Sequence, residues 1–448
     1  MPLPPLDDTI AAIATAPGTG AIGIVRVSGP ASYTVANGLF RPFSGQLPSA
    51  LPGGRATYGR IEWCGAVIDE ALLLSFRNPH SYTTQDLIEL QTHGGPAVLR
   101  RVLELCVELG ARLARPGEFT LRAFLSGRID LVQAESVLDL VHAQSETARR
   151  NASFGLSKVL SRKIDEIQSQ LTNVYAAIQA VIDYPEEEVP EAQFHQPLGE
   201  AIKTIDRLMS TAKAGMLSRR GARIALIGRP NVGKSSLLNA LIGYQRSIVS
   251  DIPGTTRDYL EAPLSIEGIP VTAIDTAGIH DSEDDLEARG VAMAREIARN
   301  TDLCLCLIDG SRDVVEGDIE LLQDLSEERF LVVTSKVDLP AAWHPETLGV
   351  KSLPISSVSG AGIEELKGAI RDSLIGTAGT DDLWLTNERH IEALSNTREL
   401  LENAIDAPDD LAALDLAEAL QILAQITGRT DVAEETLERI FAAFCVGK

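Results

Sequence analysis

The feature that most constrains this chain is the eight-residue loop Gly228-Arg-Pro-Asn-Val-Gly-Lys-Ser235, which joins the apolar segment Arg223–Gly228 to the helical stretch Ser236–Ile242. This strand–loop–helix order with the spacing G-x-x-x-x-G-K-S predicts a phosphate-binding loop on a parallel α/β sheet. Its glycines let main-chain N–H groups turn toward phosphate oxygens. We expect Lys234 to reach the β- and γ-phosphates and the Ser235 hydroxyl to ligate Mg²⁺. The predicted contacts are Asn231, Val232, Gly233, Lys234, Ser235 and Ser236.

Two further motifs predict how the phosphates and the metal are held. Asp275 ends the apolar strand Pro270–Ile274, and it would hold Mg²⁺ through water while the Gly278 N–H meets the γ-phosphate. Thr256 is the natural second hydroxyl ligand for Mg²⁺, in a loop able to sense the γ-phosphate. The predicted contacts in these segments are Ser250, Asp251, Ile252, Pro253, Gly254, Thr255, Thr256, Asp275, Thr276, Ala277 and Gly278.

A third motif, Ser335-Lys-Val-Asp338 after the strand Phe330–Thr334, predicts the base specificity. The Asp338 carboxylate can accept from guanine N1–H and the 2-amino group together, whereas adenine offers no such pair of donors. The predicted base contacts are Ser335, Lys336, Asp338, Ser356 and Ser357, the last two through main-chain N–H groups. The ordered set is similar to the translation-factor class of GTPases. That pattern usually has Asn where Ser335 stands, so we expect weaker guanine binding with unchanged specificity.

The residues around Gly278 give only partial information about hydrolysis. Many GTPases orient the attacking water with a Gln directly after D-x-x-G, but here that position is Ile279. The carboxylate-rich residues 280–287 follow, and most of them fit an ordinary solvated acidic loop. Asn231 has two open interpretations. Its side chain either stabilises the loop or binds a monovalent cation that does the electrostatic work of an arginine finger.

The pattern of apolar residues divides the 448-residue chain into four segments. Residues 1–123 are of mixed α/β type, with predicted strands at Ile22–Val27 and Ala71–Phe76 and a helix at Val98–Leu109. Residues 124–218 and 379–448 show helical periodicity, and residues 219–378 alternate strands and helices. We therefore predict a multidomain α/β protein in which an α/β domain is inserted into a discontinuous all-α domain.

Composition bounds the class of protein. Hydrophobic residues make up 44% of the chain, which excludes a disordered protein, and the five cysteines are scattered rather than arranged as a disulfide framework. We expect neither a signal peptide nor a membrane helix, and so a cytoplasmic protein. The net charge of −23 argues against extensive contact with nucleic acid by this chain alone.

Over its whole length the chain resembles the MnmE family, also called TrmE, of tRNA-modification GTPases. The resemblance rests on segments outside the central domain, which unrelated GTPases do not share. They are Asp8–Gly18, Gly23–Gly29, Asp86–Gly95, Arg115–Thr120 and the terminal Phe444-Cys-Val-Gly-Lys448, which has Val where the family usually has Ile. The resemblance implies a Ras-like GTPase domain and an N-terminal α+β domain similar to folate-binding folds.

The resemblance also implies a folate site at a homodimer interface. By position, Arg26, Glu89, Arg128 and Lys448 match the residues that contact a formyl- or methylene-tetrahydrofolate in the family. Arginine and lysine suit the carboxylates of the glutamate tail, and a carboxylate suits the aminopyrimidine ring. From the residues alone, Arg26 and Arg128 would be taken for ordinary surface residues.

Several roles in catalysis follow only from the resemblance. The family is described as using potassium-dependent dimerisation of its GTPase domains, and its potassium positions match Asn231, Ser250, Ile252 and Thr255. Glu287 matches the catalytic glutamate, which acts through water, whereas His280 stands where relatives often carry Arg. Cys445 matches a cysteine implicated in the modification reaction; from the sequence alone it is more typical of an inert buried thiol.

The resemblance further implies a partner, the FAD- and NADH-dependent protein MnmG (GidA), in a heterotetramer or a larger complex. Together they would add a carboxymethylaminomethyl or aminomethyl group to the wobble uridine of certain tRNAs, with the tRNA held mainly by the partner. Two other interpretations remain. One is a ribosome-assembly GTPase without covalent RNA chemistry, for which a basic RNA-binding module would be expected. The other is a folate-binding protein with a regulatory GTPase.

Overall fold

The structure is a computed structural model that describes residues 6–183, 192–243, 260–275, 299–324, 329–344, 349–376, 384–430 and 432–448. It divides into two compact units. The first comprises Met1–Leu138, Gly155–Gln168 and Leu420–Lys448, and the second comprises Asp139–Phe154 and Ser169–Ala419. Each of the two predicted helical segments contributes to both units.

The first unit is built on a seven-stranded sheet with the strand order β3-β4-β5-β6-β2-β1-β7. The strands are β1 Ile10–Ile13, β2 Gly20–Ser28, β3 Phe40–Pro42, β4 Arg55–Trp63, β5 Ala66–Phe76, β6 Leu87–Gly94 and β7 Arg112–Leu113. Neighbouring strands are antiparallel except β1 and β7, which are parallel. Both predicted strands are confirmed, and each begins earlier than predicted.

Helices cover one face of this sheet. They include α1 Ser32–Leu39, α2 Pro96–Glu108 and a short 3-10 helix at Pro48–Ala50. Proline at the first position of α2 supplies the φ angle that a helix needs and lacks a donor that would have no partner there, so the helix starts before the predicted Val98. At Gly23 a side chain would come within 2.6 Å of Leu99, and the missing Cβ lets α2 pack closely on β2.

The opposite face carries α3 Glu118–Leu125 and the C-terminal residues. Helix α14, Glu434–Ala442, packs on α3 through Leu437, Phe441 and Phe444. Gly117 has a φ of +65°, and a Cβ there would lie 2.6 Å from the Phe441 main-chain oxygen. Glycine at this position therefore lets the end of α14 pack closely against the start of α3.

The second unit contains a six-stranded sheet with the order β13-β12-β11-β8-β10-β9. The strands are β8 Ala222–Ile227, β9 Leu260–Ile266, β10 Ile269–Asp275, β11 Leu303–Asp309, β12 Phe330–Ser335 and β13 Ser352–Pro354. Only β9 runs antiparallel to its neighbour, and helices α9 Lys234–Gly243, α10 Glu316–Asp324 and α11 Ile363–Ile375 accompany the sheet. The predicted parallel α/β domain is confirmed.

Cys304 and Cys306 alternate in the central strand β11 and are buried in a small apolar cluster. Burial raises the pKa of the Cys306 thiol to about 12, so it stays protonated at neutral pH. These two cysteines are core residues of the sheet rather than a reactive pair.

The remaining helices are α4 Leu131–His142, α5 Glu146–Leu156, α6 Val159–Asp183, α7 Ala192–Ser210, α8 Ala212–Arg220, α12 Glu388–Ile405 and α13 Asp409–Thr427. In the second unit α7 packs against α12. Helix α12 begins where the Asn387 side chain accepts a hydrogen bond from the Arg389 N–H, a typical N-cap. None of the helices in the described residues is long and apolar enough to cross a membrane.

The chain enters and leaves the α/β segment at one place. The Leu385 N–H donates to Thr211 Oγ1 at 3.1 Å, and a Cβ on Gly215 would lie 2.0 Å from the Leu385 oxygen. Asp139 accepts hydrogen bonds from residues on both sides of this place, from Arg219 at 2.7 Å and from Thr386 at 3.4 Å. The ends of the inserted segment thus meet, as an insertion requires. The boundaries at residues 123, 218 and 378 stay predictions.

The core of this sheet begins before the predicted boundary. Ala214, Leu217 and Trp384 are buried together with the sheet residues Ile224 and Leu226. Helix α8, which precedes β8, is therefore packed into the α/β core, and so is Trp384, which follows α11 along the chain. Neither is part of an open linker.

Candidate functional site

The phosphate-binding loop lies between β8 and α9, as predicted. Gly228 has a φ of +154°, and a Cβ there would lie 2.6 Å from the Leu307 oxygen of β11. Gly233 has a φ of +107°, a conformation that residues with side chains rarely adopt. Both glycines of the motif are thus required by the backbone itself, and α9 starts immediately after them at Lys234.

Lys234 is held inside this loop. Its Nζ donates to the main-chain oxygens of Gly228 at 2.7 Å and Arg229 at 3.0 Å, and the residue is 4% exposed. Burial lowers the pKa of Lys234, while the nearby Asp275 carboxylate works in the opposite direction. A buried ammonium surrounded by loop carbonyls is arranged to meet the oxygens of a polyphosphate.

Ser235 and Asp275 meet at the end of the parallel strands. Asp275 is the last residue of β10, next to Leu226 of β8, and it is 1% exposed. The Ser235 hydroxyl donates to Asp275 Oδ2 at 2.7 Å. A hydroxyl and a carboxylate side by side are the oxygen donors that Mg²⁺ prefers, so the residues present fit the predicted metal site.

Two side chains at the end of β12 join the base loop, residues 335–338, to the phosphate loop, residues 228–235. Ser335 is 3% exposed, and its hydroxyl donates to the Val232 oxygen at 2.7 Å, with the Ile308 oxygen at 3.3 Å. Lys336 Nζ donates to the Asn231 oxygen at 2.8 Å. Although Ser335 is shorter than the usual Asn, it still reaches the phosphate loop. The Ser335 hydroxyl proton is used in this hydrogen bond. Serine also lacks the side-chain amide that the usual Asn offers to the base.

The other predicted base contacts lie at the same end of the sheet. Asp338 is exposed in the turn after β12, where its carboxylate is accessible to a ligand. The Ser356 N–H donates to the Ala361 oxygen at 2.9 Å, and its Oγ accepts from Val358 and Ser359. Because the Ser356 main-chain donor is already used within its own loop, half-buried Ser357 is the residue of this pair that we still expect to meet a base.

Several predicted site residues lie outside the described residues. They are Ser250, Asp251, Ile252, Pro253, Gly254, Thr255, Thr256, Thr276, Ala277, Gly278, Ile279, His280 and Glu287. Within the described part of the site, Asn231 is exposed on the loop, Ser235 and Ser236 are exposed in the first turn of α9, and Val232 is buried. Asn231 has a φ of +64°, and its main-chain oxygen accepts from Lys336 Nζ.

A second cluster of predicted residues lies in the first unit, centred on Arg26 of β2. Its Nε and Nη2 pair with Glu89 Oε1 on the neighbouring β6, at 2.8 and 2.7 Å. The guanidinium carbon lies 5.6 Å from the centre of the Phe119 ring and 6.0 Å from that of Tyr82. Sequence reasoning missed both aromatic residues, because nothing in their local pattern distinguishes them from core residues.

The C-terminal residues reach the same cluster. Arg26 Nη1 donates to the Gly447 oxygen at 3.1 Å, and Gly447 has a φ of +100° with Ile13 directly behind it. Burial, followed by repulsion from Arg26, lowers the pKa of Lys448. The exposed Arg128 lies 5.0 Å from the Tyr82 ring centre. The structure therefore brings Arg26, Glu89, Arg128 and Lys448 close to one another, and their role in binding a folate stays a prediction.

Cys445 is exposed three residues before the C-terminus. The interpretation of this residue as an inert buried thiol is wrong, because it is the neighbouring Phe444 that is buried in the core between α3 and α14. The C-terminal turn thus presents the thiol to solvent next to residues bound to Arg26.

Comparisons with known proteins cover nearly the whole chain. The family model described as "GTP-binding protein TrmE N-terminus" matches residues 9–128, and that described as "MnmE helical domain" matches residues 131–445. The chain is similar to proteins named tRNA modification GTPase MnmE. It is 49% identical to one from Thermus thermophilus over 446 residues, covering 99% of this chain and 100% of that protein. It is 41% identical to the one from a Roseiflexus species over 462 residues, covering 99% of each.

Proposed function

This chain belongs to the MnmE family of tRNA modification GTPases, and on that premise we propose that its GTP hydrolysis serves the modification of the wobble uridine by a complex with MnmG. The observation that best supports this proposal is the position of Cys445. The Arg26–Gly447 hydrogen bond of 3.1 Å fixes the C-terminal turn, so that an exposed thiol lies beside the residues that match the family's folate contacts.

The GTPase step is assigned to the second unit. Lys234 is placed to offset the negative charge that develops on the β- and γ-phosphate oxygens, and Asp338 selects guanine. Ser235 and Thr256 would hold Mg²⁺, which neutralises phosphate charge when bound. Since Ile279 cannot orient water, we assign that role to Glu287, as in the family.

Potassium is the proposed substitute for an arginine finger. The Asn231 main-chain oxygen accepts from Lys336, while its side chain is exposed on the loop and can turn toward a cation beside the phosphates. Ser250, Ile252 and Thr255, in the loop before Thr256, would complete this site, and we propose that the GTPase domains dimerise when potassium is bound. A cation held there would supply positive charge beside the β- and γ-phosphates.

A tetrahydrofolate is the proposed carbon donor, held in the first unit by Arg26, Glu89, Arg128 and Lys448. Arg26 and Arg128 lie near the Tyr82 ring, and Glu89 is paired with Arg26. Cationic groups and a carboxylate beside aromatic rings suit a ligand with a flat heterocycle and an acidic tail. Because the net charge of −23 disfavours contact with nucleic acid, we assign most of the tRNA contact to MnmG. We also propose that this chain is a homodimer.

The Arg26→Ala variant is expected to bind formyl-tetrahydrofolate more weakly by about 1.5–3 kcal/mol, the scale of a charge-assisted hydrogen bond. Isothermal titration calorimetry on the full chain measures this loss. Arg55→Ala changes an exposed arginine of β4 in the same domain and serves as the control, with unchanged affinity expected. Equal affinities for Arg26→Ala and the wild-type protein would remove Arg26 from the folate site.

Cells lacking this protein are expected to lose the aminomethyl-type groups from the wobble uridine of the affected tRNAs. Mass spectrometry of wobble nucleosides tests this directly, since the loss changes the nucleoside mass. We expect the wild-type gene to restore the modification and Cys445→Ser not to restore it. Cys64→Ser, at the other exposed cysteine, is the control and should restore it. Unchanged wobble uridine together with defective ribosome assembly would instead support the ribosome-assembly alternative.

A further inference from the structure

Asp309, the last residue of β11, belongs to none of the nucleotide motifs, yet its side chain binds Lys336 of the base-binding motif. It pairs in register with Ser335 of β12. Its Oδ2 accepts from Lys336 Nζ at 2.7 Å, and its Oδ1 accepts from the Ser311 N–H at 2.9 Å and from the Ser311 hydroxyl at 2.7 Å. Ser311, in the loop after β11, thus orients Oδ1 of the Asp309 carboxylate, and Oδ2 faces Lys336.

The Lys336 side chain connects this carboxylate to the phosphate loop. Its Nζ donates to Asp309 and, at 2.8 Å, to the Asn231 main-chain oxygen. Lys336 and Asn231 both have left-handed backbone conformations, with φ angles of +60° and +64°. Such conformations persist in residues with side chains only where surrounding contacts hold them. The lysine bond between the two residues is a contact of that kind.

The strength of this connection depends on charge. The Asp309 side chain is 14% exposed, and hydrogen bonds from Lys336 and Ser311 outweigh its burial and lower its pKa. Arg312 also approaches it, at 3.8 Å, but is 73% exposed and too far for a hydrogen bond. Lys336 therefore has a fixed anionic partner, which limits the many rotamers that a free lysine would sample.

Ser335 makes the Asp309 contact more important in this chain. The base loop is tied to the phosphate loop by two side chains, and Ser335 contributes one short hydroxyl bond to Val232. The second tie, from Lys336 to Asn231, is charge-assisted and depends on where the flexible lysine is held. By fixing Lys336, the Asp309 carboxylate thus stabilises the hydrogen bond from Lys336 to Asn231.

We propose that Asp309 is a positioning residue for guanine nucleotides, which acts through Lys336 and does not itself touch the nucleotide. By holding Lys336 against the Asn231 oxygen, it keeps the base loop and the phosphate loop at the spacing that one nucleotide must bridge. The proposal rests on nucleotide binding by this loop, and it is independent of potassium, folate and tRNA.

The Asp309→Asn variant tests the proposal on the full-length protein by titration with a fluorescent GDP. The amide keeps the size of the side chain, and its oxygen can still accept from Ser311, but its NH₂ group then faces the Lys336 ammonium. We expect the Kd for GDP to rise about tenfold, the effect of losing one charge-assisted hydrogen bond. Asp309→Glu, which keeps the charge, should recover most of the affinity. Asp313→Asn, at an exposed aspartate of the same loop, should change the Kd less than twofold.

A double-mutant cycle with Lys336→Met distinguishes positioning from a general loss of structure. If Asp309 acts through Lys336, the double variant Asp309→Asn/Lys336→Met should bind GDP no more weakly than Lys336→Met alone. The urea midpoint of each sample checks folding, and Asp309→Ser replaces the Asn variant if that one unfolds. The Trp343 Nε1–H bond to the Asp309 main-chain oxygen, 2.9 Å long, is kept in every variant.

Two results would overturn the proposal. One is a Kd for Asp309→Asn within twofold of the wild-type value, and the other is a double variant whose loss equals the product of the two single losses. Absence of GDP binding by the wild-type protein would be a different failure, because it would remove the nucleotide site itself.

Discussion

The Glu118→Ala variant is expected to destabilise the first unit by about 3–5 kcal/mol, the cost of breaking a buried ion pair from one side. The Glu118 side chain is fully buried, and it accepts from Arg112 at 2.7 Å, from Arg122 at 2.9 Å and from the Arg115 N–H at 2.8 Å. Arg122 is itself 1% exposed, so its guanidinium would remain buried with Asp8 as the charged partner. Urea unfolding, monitored by amide hydrogen exchange in β1 and α3, measures the loss of stability.

The pH dependence gives the same experiment a second readout. Burial alone would raise the pKa of Glu118, but hydrogen bonds from Arg112, Arg115 and Arg122 outweigh it and lower the pKa below its ordinary value of 4.5. A carboxyl group whose folded pKa is lowered stabilises the fold above its unfolded pKa and loses that contribution as the pH falls through the folded value. The gap in stability between the wild-type protein and Glu118→Ala should therefore narrow below about pH 4.5.

Controls separate this network from ordinary surface pairs. Glu104→Ala removes one of the exposed partners of Arg101 on α2 and should leave the unfolding curve unchanged. Glu118→Gln, which keeps the shape and one acceptor, should fall between Glu118→Ala and the wild-type protein. A Glu118→Ala protein as stable as the Glu104→Ala protein would show that the buried network contributes nothing to the fold.

GTP turnover is expected to fall on the order of 10²-fold when sodium replaces potassium at equal ionic strength, the scale of losing one preorganised charge in a catalytic site. The reason is cation size, because a site of several fixed oxygens built for potassium is too wide for the smaller sodium ion. Phosphate release measured in the two salts at saturating GTP and Mg²⁺ tests this.

Two variants link the effect of the salt to the loop. Asn231→Ala should turn over GTP slowly and equally in both salts, since it removes the side chain proposed as a ligand. Asn239→Ala, at an exposed asparagine of α9, should keep the full difference between salts. Equal rates for the wild-type protein in potassium and sodium would exclude Asn231 as a cation ligand.

The parts of the site that the sequence predicts are those determined by local backbone chemistry. Gly228 and Gly233 must adopt φ angles that favour glycine. Lys234 and Ser235 follow directly, as the first two residues of α9. The strands on either side of them were predictable for the same reason. Their apolar residues and the turn residues that bound them are close in the chain, so no distant contact is needed to recognise them.

The parts that could not be predicted from the residues alone depend on register or on distant segments. Arg26 faces Glu89 only because of how β2 and β6 are aligned, and it meets Gly447 from a point 421 residues away in the chain. The resemblance to a family located these residues, but it said nothing of Tyr82 between Arg26 and Arg128. Asp309 carries no motif, and its role depends on the alignment of β11 with β12.

The meeting of Gly215 and Leu385 has a mechanical consequence. A domain joined to its neighbours by two loose strands of chain would rotate freely, and a change of shape at its nucleotide would be dissipated in that rotation. Here Ala214, Leu217 and Trp384 are packed into the sheet core, while Asp139 bonds to the residues on both sides of the joint. We therefore expect this joint to be stiff, so that a change of shape in the sheet would be transmitted to helices α7 and α12.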